Sequence, residues 1–165
     1  MTPSLSILIV NWNTRDLLDA CLASVLNDPV GRESEVIVVD NASHDSSVEM
    51  VRDKYPSAIL IANDENVGYA RGNNQAAESA SGDYSLLLNP DTEVTDGALS
   101  HTLEFMESHP DVGAVGCKLM HPDGRVQQSV RTFPSPDVAL YEALQLSRLF
   151  PRHRTFGKYR MGWWN

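Results

Sequence analysis

The sequence predicts an α/β fold built on a mainly parallel β-sheet with helices on both faces. Short apolar runs of strand length alternate with segments in which apolar residues recur at helical spacing. The apolar runs are continuous, as in strands that are buried on both faces. Polar residues directly follow these runs, at the sheet edge where open parallel sheets bind ligands. A chain of 165 residues is long enough for one such domain with a real core.

The first part of the chain supplies three predicted strands and two predicted helices. Leu5–Val10 is an apolar run and predicts the first strand. Thr14 is the predicted N-cap of a helix whose apolar residues fall three and four positions apart. Glu35–Val39 predicts the second strand, and Ser46–Glu49 has the form of a capping box that opens the next helix. Ala58–Ala62 predicts a third, weaker strand, so the order is that of βαβ units.

The rest of the chain continues the alternation. Its predicted elements are a helix over Ala70–Ala80, a strand over Tyr84–Leu88, a helix over Gly97–His109, strand character at Val112–Val115 and Lys118–Met120, a turn at His121–Gly124, and a last helix from Ser135 to about Phe150. Ser135 and Pro136 give that last helix an N-cap residue followed by proline at its first position.

Charge is unevenly distributed along the chain. The 13 basic residues against 22 acidic ones give a net charge of -9, which argues against a duplex nucleic acid as partner. All acidic residues lie at or before Glu142, and the residues after it include five basic ones: Arg148, Arg152, Arg154, Lys158 and Arg160. This basic end predicts contact with phosphates or with an anionic membrane surface, and a solvated tail is the alternative.

The two cysteines and the apolar stretches predict a cytoplasmic protein. Cys21 and Cys117 lie in apolar segments without metal-ligand spacing, which predicts buried, reduced thiols. Met1–Val10 has no basic region of the kind that opens a signal peptide. No stretch approaches the roughly 20 apolar residues that a membrane span needs. Peripheral contact at the inner face of the membrane, through the last helix and the basic end, remains compatible with this location.

Polar residues at the strand ends define the candidate site. Asp40 directly follows the second strand, where a carboxylate can accept a hydrogen bond from a base or a ribose; strand termination is the alternative. In residues 66–74, Gly68 and Gly72 allow close backbone approach and Arg71 offers a planar donor fork, unless the segment only starts a helix. The glycine fingerprints of dinucleotide sites and phosphate loops are absent, so neither nicotinamide chemistry nor P-loop hydrolysis is supported.

Asp91 is the candidate metal ligand. It follows the fourth strand and Pro90, which restricts the path of the chain. Mg²⁺ and Mn²⁺ typically take one or two carboxylates together with substrate phosphates, so one carboxylate at a rigid strand end is chemically sufficient. A plain turn residue is the alternative for Asp91 by itself. The five histidines show no common spacing, and none is assigned to catalysis.

Taken together, these segments resemble glycosyltransferase family 2, which includes bacterial rhamnosyltransferases. The resemblance runs from about Leu5 to the end and rests on the ordered segments 6–13, 36–43, 66–74, 86–94 and 112–134. It implies the Rossmann-like GT-A fold. It also implies a nucleotide-sugar site made of Asn11, Asn13, Asp40, Gly68, Arg71, Asn89 and Asp91.

The resemblance also implies a role for each part of that site. Asp40 would contact the base, residues 11–13 would lie against the nucleoside, and Arg71 would lie near base and phosphates. Asn89–Asp91 corresponds to the DxD motif of the family, whose last aspartate binds the metal. Here Asn89 stands at its first position, and an amide there can still donate to the ribose.

The implied reaction is a metal-dependent, inverting sugar transfer in cell-surface polysaccharide synthesis. The donor would be UDP- or dTDP-linked, the cofactor Mg²⁺ or Mn²⁺, and the acceptor a hydroxyl of a saccharide or lipid-linked saccharide. Residues 1–134 would form the donor-binding core, and residues 135–165 the start of an incomplete acceptor-side region. The catalytic base of the family is a downstream carboxylate, and no acidic residue follows Glu142, so the base is expected beyond Asn165 in a truncated chain.

Two other functions share parts of this pattern. A non-catalytic nucleotide-binding module of the same fold would need no base. A nucleotidyltransferase that makes activated sugars usually has a glycine-rich basic loop after the first strand, which residues 11–13 do not supply.

Overall fold

The structure, a computed structural model, describes residues 4–95 and 97–163. The chain forms two compact units, Met1–Val115 and Gly116–Asn165, and each is described by itself. Residues 164 and 165 of the predicted C-terminal segment lie outside the described residues. The functional division predicted at residue 134 stays a prediction, because compactness does not test it.

The first unit contains a four-stranded, entirely parallel sheet. Its strands are β1 Leu5–Asn11, β2 Glu35–Asp40, β3 Ile59–Ala62 and β4 Tyr84–Leu88, in the order β3-β2-β1-β4. The parallel sheet predicted from the apolar runs is therefore confirmed. The chain order reverses at β1, which pairs with both β2 and β4. In open parallel sheets the crevice at such a reversal is where ligands bind.

Five helices accompany this sheet: α1 Arg15–Asn27, α2 Pro29–Glu33, α3 Ser47–Lys54, α4 Tyr69–Ser79 and α5 Ala98–Ser108. Four of them were predicted, and α2 was not. The Asp28 side chain accepts hydrogen bonds from the backbone N–H groups of Val30 (2.9 Å) and Gly31 (3.2 Å), and Pro29 occupies the first turn. An Asp-Pro pair is a helix-start signal that is visible in the sequence.

Helices pack on both faces of the sheet, as predicted. On one face β1 packs against α1 and α3 through a cluster that includes Ile7, Leu18 and Met50. On the other face Leu8 and its neighbours pack with Ala76 of α4. Successive side chains of a strand point to opposite faces, so the continuous apolar run of β1 serves both layers.

The predicted capping box at Ser46 is wrong, although the helix it announced is present. Ser46 adopts a left-handed conformation (φ 64°) and its side chain makes no capping bond. The cap is supplied by Asp45 instead, whose Oδ1 accepts from the backbone N–H of Ser47 at 3.1 Å and from its hydroxyl at 2.5 Å. Thr14 likewise precedes α1 without capping it, and donates its hydroxyl to Asn11 Oδ1 at 2.6 Å.

In its described residues, 116–163, the second unit has two short helices, α6 Pro136–Ala143 and α7 Leu146–Leu149. The single helix predicted to about Phe150 is wrong because Gln145 adopts φ 57° and interrupts it. The ring of Phe156 packs edge-on against Tyr141 (5.4 Å between centroids) and stacks on His153 (4.8 Å). These ring contacts give the unit a small aromatic centre.

The strands predicted at 112–115 and 118–120 are wrong. Among the described residues this region forms an isolated antiparallel bridge, Met120 with Val126, around the predicted turn, where Gly124 has φ 83°. Short apolar runs form strands only where they find ladder partners. Cys117 is exposed rather than buried, whereas Cys21 is buried as predicted.

Within residues 4–95 and 97–163, no helix is both long and apolar enough to cross a membrane.

A hydrogen-bonded carboxylate fastens the amino edge of the sheet. Glu35 Oε2 accepts from the Ser6 hydroxyl (2.6 Å) and from the Ser81 backbone N–H (2.9 Å), and Oε1 accepts from the Ser81 hydroxyl (3.0 Å). Burial by itself raises the pKa of Glu35, but these hydrogen bonds outweigh it, so the pKa is lowered overall. The pKa of Glu35 is therefore lower in the folded protein than in the unfolded chain. Its carboxylate stabilises the folded protein at pH values above the unfolded pKa, and this contribution is lost as the pH falls through the folded pKa.

Replacing Glu35 by glutamine should therefore weaken the acid dependence of stability. We expect Glu35→Gln to lower the free energy of unfolding by about 1 kcal/mol at neutral pH, and by less in acid, where the wild-type carboxylate is itself protonated. Urea unfolding at about pH 7 and about pH 3 measures the difference. The exposed Glu33 is the matched control. If Glu35→Gln and Glu33→Gln change the pH dependence equally, the Glu35 assignment is wrong.

Candidate functional site

The predicted site residues of β1, β2 and β4 meet at the carboxyl edge of the sheet. Asn11 is the last residue of β1 and pairs in the ladder with Asp40, the last residue of β2. Asn89 directly follows β4, which is the other neighbour of β1. The parallel register therefore brings these polar residues to one edge, as the sequence predicted.

Asn11 and Asp40 form a buried polar pair. Asn11 Nδ2 donates to Asp40 Oδ2 at 2.7 Å, and the backbone N–H of Ser43 donates to Asp40 Oδ1 at 2.8 Å. Both oxygens of the carboxylate thus accept hydrogen bonds from the protein. The pair links the loop after β1 to the loop after β2, and it compensates the cost of burying the carboxylate.

Burial limits what Asp40 can touch in this structure. Only 1% of Asp40 is accessible, and Asn11 is fully buried. Each carboxylate oxygen keeps a second acceptor direction, but a base reaches it only if the surrounding loop moves. The structure therefore gives Asp40 a loop-organising role, and the base contact implied by the family resemblance stays a prediction.

Asn13 is held at the surface by Ser43 and His44. Its backbone N–H donates to Ser43 Oγ at 2.9 Å, and its Oδ1 accepts from the His44 N–H at 2.8 Å. Asn13 has φ 54°, a left-handed conformation that asparagine tolerates. Trp12 beside it is 55% exposed. Sequence reasoning missed Ser43 because its hydroxyl oxygen accepts hydrogen bonds from Asn11 and Asn13, which are distant in the sequence.

The glycine-rich segment leads into α4 and presents Arg71. Gly68 has φ 84°, a conformation that favours glycine. At Gly72 a Cβ atom would lie 2.9 Å from Val10 Cγ1, so this glycine lets α4 pack closely on β1. Arg71 is exposed, and with the described residues its guanidinium makes neither a hydrogen bond nor an ion pair. The guanidinium is therefore available to an anionic ligand.

The turn after β4 presents Asp91. The backbone N–H and the hydroxyl of Thr92 donate to the Asn89 carbonyl, at 3.2 and 2.5 Å. Asp91 is exposed and makes no hydrogen bond or ion pair with any residue that the structure describes. The Tyr69 hydroxyl donates to Asn89 Oδ1 at 3.2 Å. This bond connects the turn to the first residue of α4, two positions before Arg71.

The thiol of Cys21 lies beneath this turn and donates to the Asn89 carbonyl (3.7 Å). Burial, assisted by the negative charges of Asp91 and Glu93, raises the pKa of the Cys21 thiol to about 12. The thiol therefore remains neutral at physiological pH, which makes it a poor nucleophile and a poor metal ligand.

The acidic residues present fit a metal that is shared with a substrate. In the described part of the chain, no group of three or more His, Cys, Asp or Glu residues is placed to hold a metal. A complete protein cage is therefore not formed there. Mg²⁺ and Mn²⁺ need only one or two carboxylates when substrate phosphates complete the coordination. The exposed, unpaired carboxylate of Asp91 meets that requirement.

Residues 6–163 match the family described as glycosyl transferase family 2. The chain is 35% identical over 130 residues to the O-antigen biosynthesis protein RfbC of Myxococcus xanthus, covering 78% of this chain and 10% of that protein. It is 29% identical over 146 residues to N-acetylglucosaminyl-diphospho-decaprenol L-rhamnosyltransferase of Mycobacterium tuberculosis, covering 82% and 47%. The chain thus spans less than half the length of these two curated relatives.

Two solved structures share the fold of this chain. A mannosyltransferase from Pyrobaculum calidifontis, in complex with GDP-Man and Mn²⁺, matches with a TM-score of 0.65 and 25% identity, over 74% of this chain and 37% of that one. TarS residues 1–349 of S. aureus, in complex with UDP, matches in fold with a TM-score of 0.59 and 20% identity, over 76% and 43%. The resemblance read from the motifs is confirmed: the fold is the Rossmann-like GT-A fold, and the chain belongs to glycosyl transferase family 2.

Proposed function

We propose that this chain is the nucleotide-sugar-binding part of a metal-dependent, inverting glycosyltransferase of cell-surface polysaccharide synthesis. The observation that carries the proposal is the Tyr69–Asn89 hydrogen bond, which joins the glycine-rich segment to the turn after β4. The guanidinium of Arg71 and the carboxylate of Asp91, which have no partners among the described residues, therefore lie on adjoining segments. A guanidinium group near a candidate metal ligand is an arrangement that can bind the phosphates of a nucleoside diphosphate.

In this proposal the donor is a UDP- or dTDP-linked sugar. Arg71 would bind donor phosphates, the Asn89 amide would donate to the ribose, and the loop that follows buried Asn11 would lie against the nucleoside through Asn13. Asp91 would hold Mg²⁺ or Mn²⁺, which when bound neutralises charge on the departing diphosphate. GDP-Man and Mn²⁺ in the mannosyltransferase, and UDP in TarS, support this ligand class.

The acceptor in this proposal is a hydroxyl of a saccharide or of a lipid-linked saccharide. The names of the relatives, an O-antigen biosynthesis protein and a rhamnosyltransferase, support such an acceptor. Inverting transfer also needs a base that deprotonates the attacking hydroxyl. We assign no residue of this chain to that role.

Calorimetric titration tests the proposal. Wild-type protein is titrated with UDP, dTDP and GDP, each with and without Mn²⁺. We expect UDP or dTDP to bind at least about tenfold more tightly when Mn²⁺ is present, a difference of about 1.4 kcal/mol. Equal affinity with and without Mn²⁺ would contradict the metal assignment. No binding of any of the three nucleotides would remove the donor site.

The second unit supports a further part of the proposal, peripheral contact with the inner face of a membrane. Leu140 on α6 and Leu144 directly after it are 55% and 58% exposed, and the Leu144 N–H donates to the Leu140 carbonyl, so the two residues lie one helical turn apart. Leu149 is 69% exposed, and Arg148 and Arg152 nearby are exposed as well. Exposed apolar side chains among cations suit an anionic lipid surface.

Vesicle binding tests this contact. We expect the protein to sediment with vesicles of anionic lipid at low salt. The Arg148→Glu, Arg152→Glu double variant should lose most of that binding, because each basic residue near the membrane surface contributes about 1 kcal/mol. Arg125→Glu, in the turn at residues 121–126, is the control. Failure to bind anionic vesicles, or equal binding to neutral ones, would remove the proposed contact.

A further inference from the structure

A chain of side-chain amides crosses the carboxyl edge of the sheet outside the residues assigned so far. Asn41 follows β2, Asn63 follows β3, and Gln75 lies on α4. Asn63 Nδ2 donates to Asn41 Oδ1 at 3.0 Å and to Gln75 Oε1 at 2.9 Å. Gln75 Nε2 donates back to Asn63 Oδ1 at 3.0 Å. Asn63 and Gln75 thus form a reciprocal amide pair, which Asn41 extends.

The same chain of amides holds both ends of the segment that precedes α4. At one end, the backbone N–H of Asn63 donates to the Asp40 carbonyl at 2.9 Å. At the other end, Asn41 Nδ2 donates to the Gly68 carbonyl at 3.4 Å. Asn41 is 2% exposed, so its amide is held within the protein. Residues 64–67 therefore run between two fixed points.

The central residue, Asn63, needs a side chain that both donates and accepts hydrogen bonds, as an amide does. Asn63 uses its oxygen as an acceptor and its nitrogen as a donor to two different oxygens. A carboxylate there has no N–H to donate to Asn41 and Gln75. Contacts other than the amides already hold α4 against the sheet: Ala76 packs in the core, and Gly72 lies close to Val10. The additional effect of the amides falls on the segment and on the first turns of α4.

Gln75 and Arg71 are four residues apart on α4, so they are neighbours on one side of the helix. We propose that Asn41, Asn63 and Gln75 are positioning residues for the donor. Their amides fix the segment from Asn63 to Arg71, and so hold the Arg71 guanidinium where it binds donor phosphates. This inference rests on the proposed function, because it needs Arg71 to contact the donor.

Two measurements on Gln75→Met test the inference. Methionine keeps the length of the side chain and helix propensity but makes neither amide bond. Amide hydrogen exchange of residues 64–71 in nucleotide-free protein is expected to accelerate about tenfold, corresponding to about 1.4 kcal/mol of lost local stability. Glu78→Met, at an exposed position on the same helix, should leave that exchange unchanged. Gln75→Glu keeps an acceptor for Asn63 Nδ2 and should give an intermediate rate.

The second measurement is the affinity for the nucleoside diphosphate that the wild type binds in Mn²⁺. We expect Gln75→Met to weaken this affinity by about fivefold. In an Arg71→Met background the same change should alter the affinity by less than about twofold, because the effects of residues that act through one another are not additive. An undiminished effect in that background would overturn the inference, as would unchanged affinity in Gln75→Met alone.

The outcomes separate this inference from the proposed function. If the wild type binds no nucleotide, the proposed function fails, and with it the role of these amides toward a donor. If the wild type binds but exchange in residues 64–71 is unchanged by Gln75→Met, the proposed function stands and the inference is wrong. Faster exchange together with the loss of affinity through Arg71 supports both.

Discussion

Replacing Asp91 by alanine is expected to abolish the effect of Mn²⁺ on nucleotide affinity. Asp91 is an exposed carboxylate without a partner among the described residues, and no cluster of acidic residues there can take its place. Loss of a protein carboxylate from a shared cation should weaken binding in Mn²⁺ by the whole Mn²⁺ effect, at least about tenfold, or about 1.4 kcal/mol. Affinity without Mn²⁺ should change little, because the proposed contacts of Arg71 and Asn89 remain.

Glu93 provides the matched control for this prediction. It is also an exposed carboxylate, two residues further on, and its negative charge also reaches the Cys21 thiol. Glu93→Ala should keep the Mn²⁺ effect within about threefold of the wild type, as expected for an exposed charge that binds no ion. Calorimetry of both variants with and without Mn²⁺ makes the comparison. A larger loss in Glu93→Ala than in Asp91→Ala would move the metal ligand to Glu93.

The sheet was predictable because its strands carry their own signal. β1 and β2 are buried on both faces and were found as apolar runs. β4 is exposed on one face and was found from the apolar run Leu86–Leu88. The ends of β1 and β2 were not predicted correctly. Asn11 and Asp40 continue the ladder as its last pair, although polarity alone placed them outside the strands. Polar residues at a strand end are compatible with pairing when their side chains find partners, and these two bind each other.

The elements that sequence reasoning placed wrongly follow plausible local patterns, and the structure departs from those patterns at particular residues. Ser46 fits the local pattern of a capping box, but Asp45 makes the capping bonds and also accepts from the backbone N–H of Arg15 at 2.8 Å. The last helix has a continuous local pattern, and Gln145 interrupts it with a left-handed conformation. The residues near 112–120 are apolar enough for strands, but the described chain offers them no ladder.

In the candidate site, too, features that follow from local sequence were predicted, and features that depend on partners elsewhere in the chain were not. The motif residues come to one edge because strand order follows from connectivity and handedness, which a sequence can indicate. Ser43, Asn63 and Gln75 were missed because their roles come from partners on other elements. Burial of Asp40 was missed for the same reason: a polar residue after a strand looks exposed until its donors are known.

Removing the Asp40 side chain is expected to have the largest effect on stability. Asp40→Ala removes the acceptor of the part-buried Ser43 N–H, and it leaves buried Asn11 Nδ2 with only its 3.2 Å bond to Ser43 Oγ. Each unsatisfied donor costs about 1–3 kcal/mol, so we expect a loss of about 3 kcal/mol in the free energy of unfolding. Asp40→Asn keeps one acceptor oxygen and should lose about half as much. Urea unfolding measures both, with the exposed Asp16→Asn as control, expected within about 0.5 kcal/mol of the wild type.

The same variants decide what Asp40 does for a ligand. If the carboxylate acts by joining the loops after β1 and β2, Asn11→Ala should remove much of the same stability, and the double variant should lose less than the sum. Nucleotide affinity should then fall by similar factors in Asn11→Ala and Asp40→Asn. If instead Asp40→Asn lowers stability by less than about 0.5 kcal/mol, within the range of a surface substitution, yet abolishes nucleotide binding, the carboxylate contacts the base directly. The loop over Asp40 would then have to open when the donor binds.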